Sequence, residues 1–99
     1  MAIPHGAEIL KTRRDDIVAA AARHGARSIR VFGSAVRGGF TETSDFDFLV
    51  EMGADATLFD RAALIVELRA ILGREVDVVT EKSLKPRVRA SVVREAVAL

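Results

Sequence analysis

A short glycine-rich segment between two predicted strands constrains the fold of this chain more than any other feature. Ser28–Phe32 and Asp45–Glu51 alternate polar and apolar residues, which is the pattern of a strand. Little more than the loop Gly33–Thr43 separates them. Neighbouring parallel strands need a crossover of roughly a dozen or more residues, usually a helix. The loop is too short for a full crossover helix, so we expect a mixed sheet rather than a doubly wound dinucleotide-binding fold.

Apolar residues recur at helical spacing in the rest of the chain. The spacing predicts helices over residues 7–24, 58–72 and 83–99, the last with Pro86 in its first turn, and Glu75–Thr80 predicts a third strand. This order predicts an α/β (α+β) fold with a small mixed β-sheet and helices packed on it. The 99 residues are one domain's length, so we expect residues 1–99 to form a single domain.

The composition excludes several classes of function. The chain has no cysteine, which excludes a disulfide scaffold, a thiolate metal site and a cysteine nucleophile. Its net charge of +1 and its lack of Trp and Tyr argue against nucleic-acid binding. No apolar run approaches the roughly 20 residues of a membrane span, and Met1–Gly6 does not open a signal peptide. We therefore expect a cytoplasmic protein without a membrane partner.

The segment from Gly33 to Asp47 carries the residues with the clearest chemistry. Gly33 and Ser34 follow a predicted strand directly; a glycine lets a phosphate approach the backbone, and the serine adds a hydroxyl donor. Asp45 and Asp47 are two residues apart on a strand, so both carboxylates point to one face. Mg²⁺ prefers such hard oxygen ligands and often binds carboxylates together with substrate phosphates. A phosphate cradle beside a magnesium site is the arrangement that a nucleoside triphosphate needs.

A third carboxylate, Asp77, interrupts an otherwise apolar strand between Val76 and Val78. A charged group in such a strand costs free energy unless a metal ion or a partner compensates it. If this strand lies beside the strand of Asp45 and Asp47, three carboxylates meet. Two metal ions roughly 3.5–4 Å apart could then act on an in-line phosphoryl displacement.

The combined pattern resembles the nucleotidyltransferase superfamily of the DNA polymerase β type. Gly33-Ser34, Asp45-x-Asp47 and Asp77 stand where that superfamily has its Gly-Ser, its Asp-x-Asp and its third acidic residue, and Arg37-Gly38 and Ser44 match its small bacterial members. The whole chain is similar to the minimal nucleotidyltransferases, which are antitoxin partners of HEPN-domain ribonuclease toxins. The resemblance implies transfer of AMP from ATP to a toxin tyrosine, an adenylylation that silences the toxin, with two Mg²⁺ ions expected.

The departures from the family pattern are mild. Val36 stands where alanine is common, and Phe46 stands where a smaller aliphatic residue is common. Neither change removes a chemical group that the metal site needs. The extra domain by which larger relatives hold the base is not expected in this chain, which leaves base selectivity open.

Each candidate residue also has a plainer structural role. The expected catalytic and metal-binding residues are Asp45, Asp47 and Asp77, and the expected nucleotide-binding residues are Gly33, Ser34 and Arg37. The two aspartates of the Asp-x-Asp motif could be a solvated pair, and Asp77 could be an edge-strand residue paired with an arginine. Gly33-Ser34 could be an ordinary tight turn. Arg37 could reach the triphosphate, or it could brace the loop by pairing with a nearby carboxylate, and Ser44 is expected to be a turn hydroxyl.

Three other functions compete with the transferase hypothesis. The domain could keep its motif and neutralise a toxin by occlusion alone, although an intact set of carboxylates counts against this. It could transfer AMP to a small molecule such as an aminoglycoside. It could also add nucleotides to nucleic-acid ends, but the near-neutral charge and the low aromatic content disfavour that function. No feature of the sequence indicates whether the chain forms a homo-oligomer.

Overall fold

A computed structural model describes residues 6–99, and the first five residues, on which the expectation about a signal peptide rests, lie outside this range. The helices are α1 (Gly6–Arg23), α2 (Ser34–Arg37), α3 (Leu58–Leu72) and α4 (Pro86–Glu95), with a short 3₁₀ turn at Glu81–Ser83. The strands are β1 (Ala26–Phe32), β2 (Phe46–Met52), β3 (Val76–Val79) and β4 (Val97–Ala98). No helix in the part of the chain that the structure describes is long and apolar enough to cross a membrane.

The four strands form one mixed sheet in the order β3-β2-β1-β4. Strand β1 runs antiparallel to both β2 and β4, whereas β2 and β3 are parallel. The helix α3 makes the crossover between the two parallel strands, and the short segment between β1 and β2 joins an antiparallel pair. The predicted mixed sheet with packed helices is confirmed.

The main core lies on one face of the sheet. Alternate residues of β2 point to this face, where Phe46 and Phe48 are fully buried. They belong to one cluster with residues of α1, α3 and β3, namely Leu10, Ile17, Ala20, Leu64, Leu68 and Val78. Leu49 is also buried but lies outside this cluster, as expected for a residue on the opposite face of the strand. The strand β2 therefore has its core on one side and its aspartate on the other.

The bounds of α3 agree with the prediction because both of its ends carry local signals. Thr57 and Asp60 form a capping box in which each side chain accepts a hydrogen bond from the other's backbone N–H. At the other end, Gly73 adopts the left-handed conformation with φ 64°, and its N–H donates to the carbonyl of Arg69. Capping signals adjacent in sequence define this helix.

The predicted helix over residues 83–99 is wrong at both ends. Ser83 forms a capping box with Thr80 and closes a 3₁₀ turn, so α4 begins three residues later, at Pro86. It ends at Glu95 because Val97 and Ala98 pair with Val31 and Arg30 on the open edge of β1. An unpaired strand edge offers backbone donors and acceptors that a continued helix would leave unused. This fourth strand was not predicted.

Candidate active site

Two of the predicted site residues lie opposite each other on neighbouring strands. In the parallel pairing of β2 with β3, Asp47 is in register with Asp77. Side chains in register on adjacent strands project to the same face, so both carboxylates lie on the face opposite the main core. Asp45 comes immediately before β2, whose first residue, Phe46, donates its N–H to the carbonyl of Glu75 at 3.1 Å. The two strands are therefore neighbours, which is the condition on which the meeting of the carboxylates depends.

Gly33 lies against the side chain of Asp47. The β1–β2 register pairs Phe32 with Asp47, and Gly33 follows directly with φ 81°. A Cβ atom at this position would collide with Oδ2 of Asp47 and lie only 3.1 Å from its Cγ. The glycine is required here both by its backbone conformation and by the space that Asp47 occupies.

The segment after Gly33 is a single helical turn. The N–H groups of Val36 and Arg37 both donate to the carbonyl of Gly33 at 3.0 Å, and Gly38 closes the turn on the carbonyl of Ser34. Ser34 is the first residue of this turn and is half-buried. The glycine-serine pair is therefore a strand-to-helix turn next to Asp47.

Arg37 pairs with a carboxylate that the sequence analysis did not single out. Its Nη1 lies 2.8 Å from Oε1 of Glu95, the last residue of α4. The other oxygen, Oε2, accepts a hydrogen bond from the backbone N–H of Gly33 at 3.1 Å. The bracing role considered for Arg37 is thus the one that this structure contains. No sequence signal could have revealed Glu95, because it is 58 residues away from its arginine.

Arg74 is a second residue that the sequence analysis missed. It donates from Nη2 to the backbone carbonyls of Thr41 and Ser44, the latter at 2.9 Å. Its guanidinium also lies 4.7 Å from the centre of the Phe40 ring, within the range of a cation–π contact. The hydroxyl of Ser44 accepts from the N–H of Thr41 at 2.9 Å, which confirms its role in a turn. Arg74 therefore secures the loop that leads into Asp45.

The negative charge around Asp47 is compensated only in part, by Arg37. Burial raises the pKa of Asp47, the nearby carboxylates of Asp77, Asp45 and Glu95 raise it further, and Arg37 opposes them. Asp77 is exposed on an edge strand, but no arginine forms an ion pair with it within residues 6–99. Aspartate oxygens are the donors that hard divalent cations prefer. The donor chemistry fits a magnesium ion.

The three aspartates are not arranged as a complete metal site. Among the described residues, no three acidic or histidine side chains are placed so that they could hold one ion together. Mg²⁺ commonly uses only one or two carboxylates, with substrate phosphates and water as its other ligands. The assignment of Asp45, Asp47 and Asp77 as a joint ligand set stays a prediction.

The glycine-serine turn, the facing carboxylates of Asp47 and Asp77 and the small mixed sheet are features expected of an enzyme that acts on a nucleotide phosphate. Residues 10–99 match the family model described as "Nucleotidyltransferase domain", and the chain belongs to this family. It is accordingly a nucleotidyltransferase.

Several known proteins are similar to this chain in sequence or in structure. Protein adenylyltransferase MntA of Thermococcus cleftensis is 44% identical over 75 residues, which cover 76% of this chain and 76% of that protein. A solved structure assigned as a minimal nucleotidyltransferase superposes with a TM-score of 0.85 at 46% identity, covering 94% of this chain and 95% of the other. A mutant form of the toxin–antitoxin complex MntA–HpeT matches with a TM-score of 0.70 at 25% identity, covering 87% and 70%.

Proposed function

We propose that this chain is a magnesium-dependent protein adenylyltransferase. It transfers AMP from ATP to a tyrosine hydroxyl of a HEPN-domain ribonuclease toxin and thereby acts as the antitoxin. The observation that carries the proposal is the alignment of Asp47 with Asp77 across two parallel strands, with Gly33 against Asp47. The similarity to MntA of Thermococcus cleftensis and to the MntA–HpeT complex supports the choice of a toxin as acceptor.

The residues of the site have distinct roles in this proposal. Gly33 and Ser34 bind the β- and γ-phosphates, through the backbone of the strand-to-helix turn and through the serine hydroxyl. Asp45, Asp47 and Asp77 would hold two Mg²⁺ ions, which when bound neutralise phosphate charge and align the reacting groups. Burial and the neighbouring carboxylates raise the pKa of Asp47, which supports this role because a bound cation would stabilise its charged form.

The transfer itself is an in-line displacement. The acceptor hydroxyl attacks the α-phosphorus, the bond from that phosphorus to the bridging oxygen breaks, and pyrophosphate leaves. The hydroxyl proton passes to the carboxylate of Asp77, which is exposed on an edge strand and so is open to a macromolecular acceptor. Positioning and charge neutralisation account for most of the rate enhancement.

The experiment uses the purified chain, the protein encoded by the neighbouring gene, Mg²⁺, and ATP labelled at the α-phosphate. We expect label on the partner in whole AMP units, at a tyrosine located by peptide mass spectrometry. The Asp45→Ala/Asp47→Ala variant should bind the partner and transfer no label. ATP labelled at the γ-phosphate is the matched control, because AMP transfer leaves that phosphate in pyrophosphate.

The competing functions give different results in the same experiment. A tight complex with no label from any nucleotide would refute the transferase proposal and support neutralisation by occlusion. Label that appears on a small hydroxylated molecule but never on the partner would refute the protein acceptor. Transfer that persists with EDTA in place of Mg²⁺ would refute the metal requirement.

A further inference from the structure

Glu95 makes two contacts with the turn that the proposed function assigns to the nucleotide. Its Oε2 accepts from the N–H of Gly33 at 3.1 Å, and its Oε1 pairs with Arg37 at 2.8 Å. The Glu95 side chain is only 18% exposed, whereas Arg37 is 65% exposed. The carboxylate is therefore a sheltered anchor, and the arginine is a long exposed side chain held at one end by it.

The C-terminal strand explains how Glu95 reaches this position. In the antiparallel pairing of β1 with β4, Val31 lies opposite Val97. Moving two residues forward from Val31 and two residues back from Val97 leads to Gly33 and Glu95. The pairing of β4 on the edge of β1 thus delivers the end of α4 to the glycine of the turn.

We propose that Glu95 is a positioning residue for the nucleotide, an inference that rests on the proposed function. It holds the Gly33–Arg37 turn in shape and orients the guanidinium of Arg37 for the triphosphate. A guanidinium has five N–H donors, and the ion pair with Glu95 leaves others for phosphate oxygens. An arginine that is already held loses less side-chain entropy when phosphate binds.

Removing Glu95 could also tighten ATP binding, for a separate physical reason. The direction of the change in ATP affinity therefore decides between the two accounts. Removing the carboxylate would free one cation and one backbone N–H near the phosphates, and electrostatics alone would then tighten ATP binding. Positioning predicts weaker binding instead. The two accounts predict opposite changes in the dissociation constant for ATP.

The binding experiment titrates each protein with Mg²⁺ and a non-hydrolysable ATP analogue in a calorimeter. We expect Glu95→Ala to bind about tenfold more weakly, the scale of one lost charged hydrogen bond. Glu95→Gln should recover part of the loss, because its amide oxygen still accepts from Gly33. In the Arg37→Ala background, Glu95→Ala should cost much less than it does alone.

Glu67→Ala is the matched control. The Glu67 carboxylate also pairs with an arginine, Arg23, and with a second nitrogen donor, His24 at 3.2 Å. Those partners precede β1, whereas Gly33 follows it, so the contact lies at the other end of that strand. We expect this variant to bind the analogue as the wild type does.

A second readout separates positioning from general loss of structure. In the AMP-transfer assay, Glu95→Ala should raise KM for ATP about tenfold and leave kcat within about twofold, at a temperature where thermal unfolding shows the variant fully folded. A variant lacking residues 97–99 keeps Glu95 but loses the pairing of β4 with β1 that brings Glu95 to Gly33. This variant should show the same rise in KM for ATP.

The outcomes distinguish this inference from the function on which it rests. If the wild type does not bind the analogue, both are refuted. If the wild type binds and Glu95→Ala binds equally well or more tightly, only the positioning role is refuted, and tighter binding would identify Glu95 as an internal competitor of phosphate.

Discussion

Gly33 and Asp47 are so close that the absence of a side chain on the first makes room for the carboxylate of the second. Gly33 directly follows β1 and Asp47 lies on the adjacent strand β2, and a Cβ on Gly33 would meet both Oδ2 and Cγ of Asp47. The glycine of the glycine-serine pair and the second aspartate of the Asp-x-Asp motif are therefore one packed unit. A change in either residue displaces the other.

Gly33→Ala should abolish AMP transfer, because the added Cβ pushes the Asp47 carboxylate out of place. Gly39→Ala is the matched control, since Gly39 has a similar φ of 79° but open space where its Cβ would lie. Both variants carry the backbone strain of a positive φ, about 1 kcal/mol or more. Transfer rates and urea unfolding of both variants measure the difference, and equal loss of transfer in both would contradict the collision.

Asp47→Asn should stabilise the folded chain at neutral pH while abolishing transfer. The pKa of Asp47 is raised by burial and by the carboxylates of Asp77 and Asp45, so its charged form is penalised in the folded state. The penalty is complete above the folded pKa and is released as pH falls through it. The advantage of the variant, about 0.5 to 1 kcal/mol at pH 7, should therefore vanish in acid.

Urea unfolding at several pH values measures this dependence. Added Mg²⁺ should also reduce the advantage of Asp47→Asn, because the cation stabilises only the wild-type cluster. An advantage that is constant across pH would show that packing, rather than charge, separates the two proteins.

Arg74→Ala should weaken ATP binding, because the loop before Asp45 loses its anchor. The variant loses hydrogen bonds to two carbonyls and the contact with Phe40, and the expected cost in unfolding free energy is about 1–2 kcal/mol. Arg69→Ala is the control, since Arg69 is exposed and forms an ion pair with Glu75. Calorimetric ATP binding and urea unfolding of both variants test this. An unchanged ATP affinity in Arg74→Ala would show that Arg74 does not contribute to the site.

Thr57→Ala should destabilise the fold by about 1 kcal/mol without changing transfer, because it removes the side chain that caps α3. Thr12→Ala provides the contrast. The Thr12 hydroxyl only donates back to the carbonyl of Glu8 within the exposed part of α1, and alanine is the better helix former there. Urea midpoints of the two variants measure the difference; a Thr12 variant as unstable as the Thr57 variant would contradict the capping explanation.

Local patterns predicted much of the fold. The bounds of α3 agree with the prediction because Thr57 and Gly73 define its ends through contacts with residues nearby in sequence. The mixed sheet was predictable from the short connection between β1 and β2, which contains only the four-residue helix α2 and joins an antiparallel pair. Local patterns failed for residues 96–99, because the helical spacing continues there while the open edge of β1 recruits the chain as β4.

The sequence by itself determined which residues are the candidates for the chemistry. Glycine, serine and aspartate at these spacings have few other uses together, and their motif lies within one segment of the chain. Only the tertiary structure decided that Asp77 is in register with Asp47 and that Glu95 accepts a hydrogen bond from the N–H of Gly33. It also decided that Arg74 holds the loop before Asp45 through the carbonyl of Ser44. Spacing encodes which face a side chain takes within its own element. Which strands become neighbours depends on burial and edge pairing across the whole chain, and no local pattern records that.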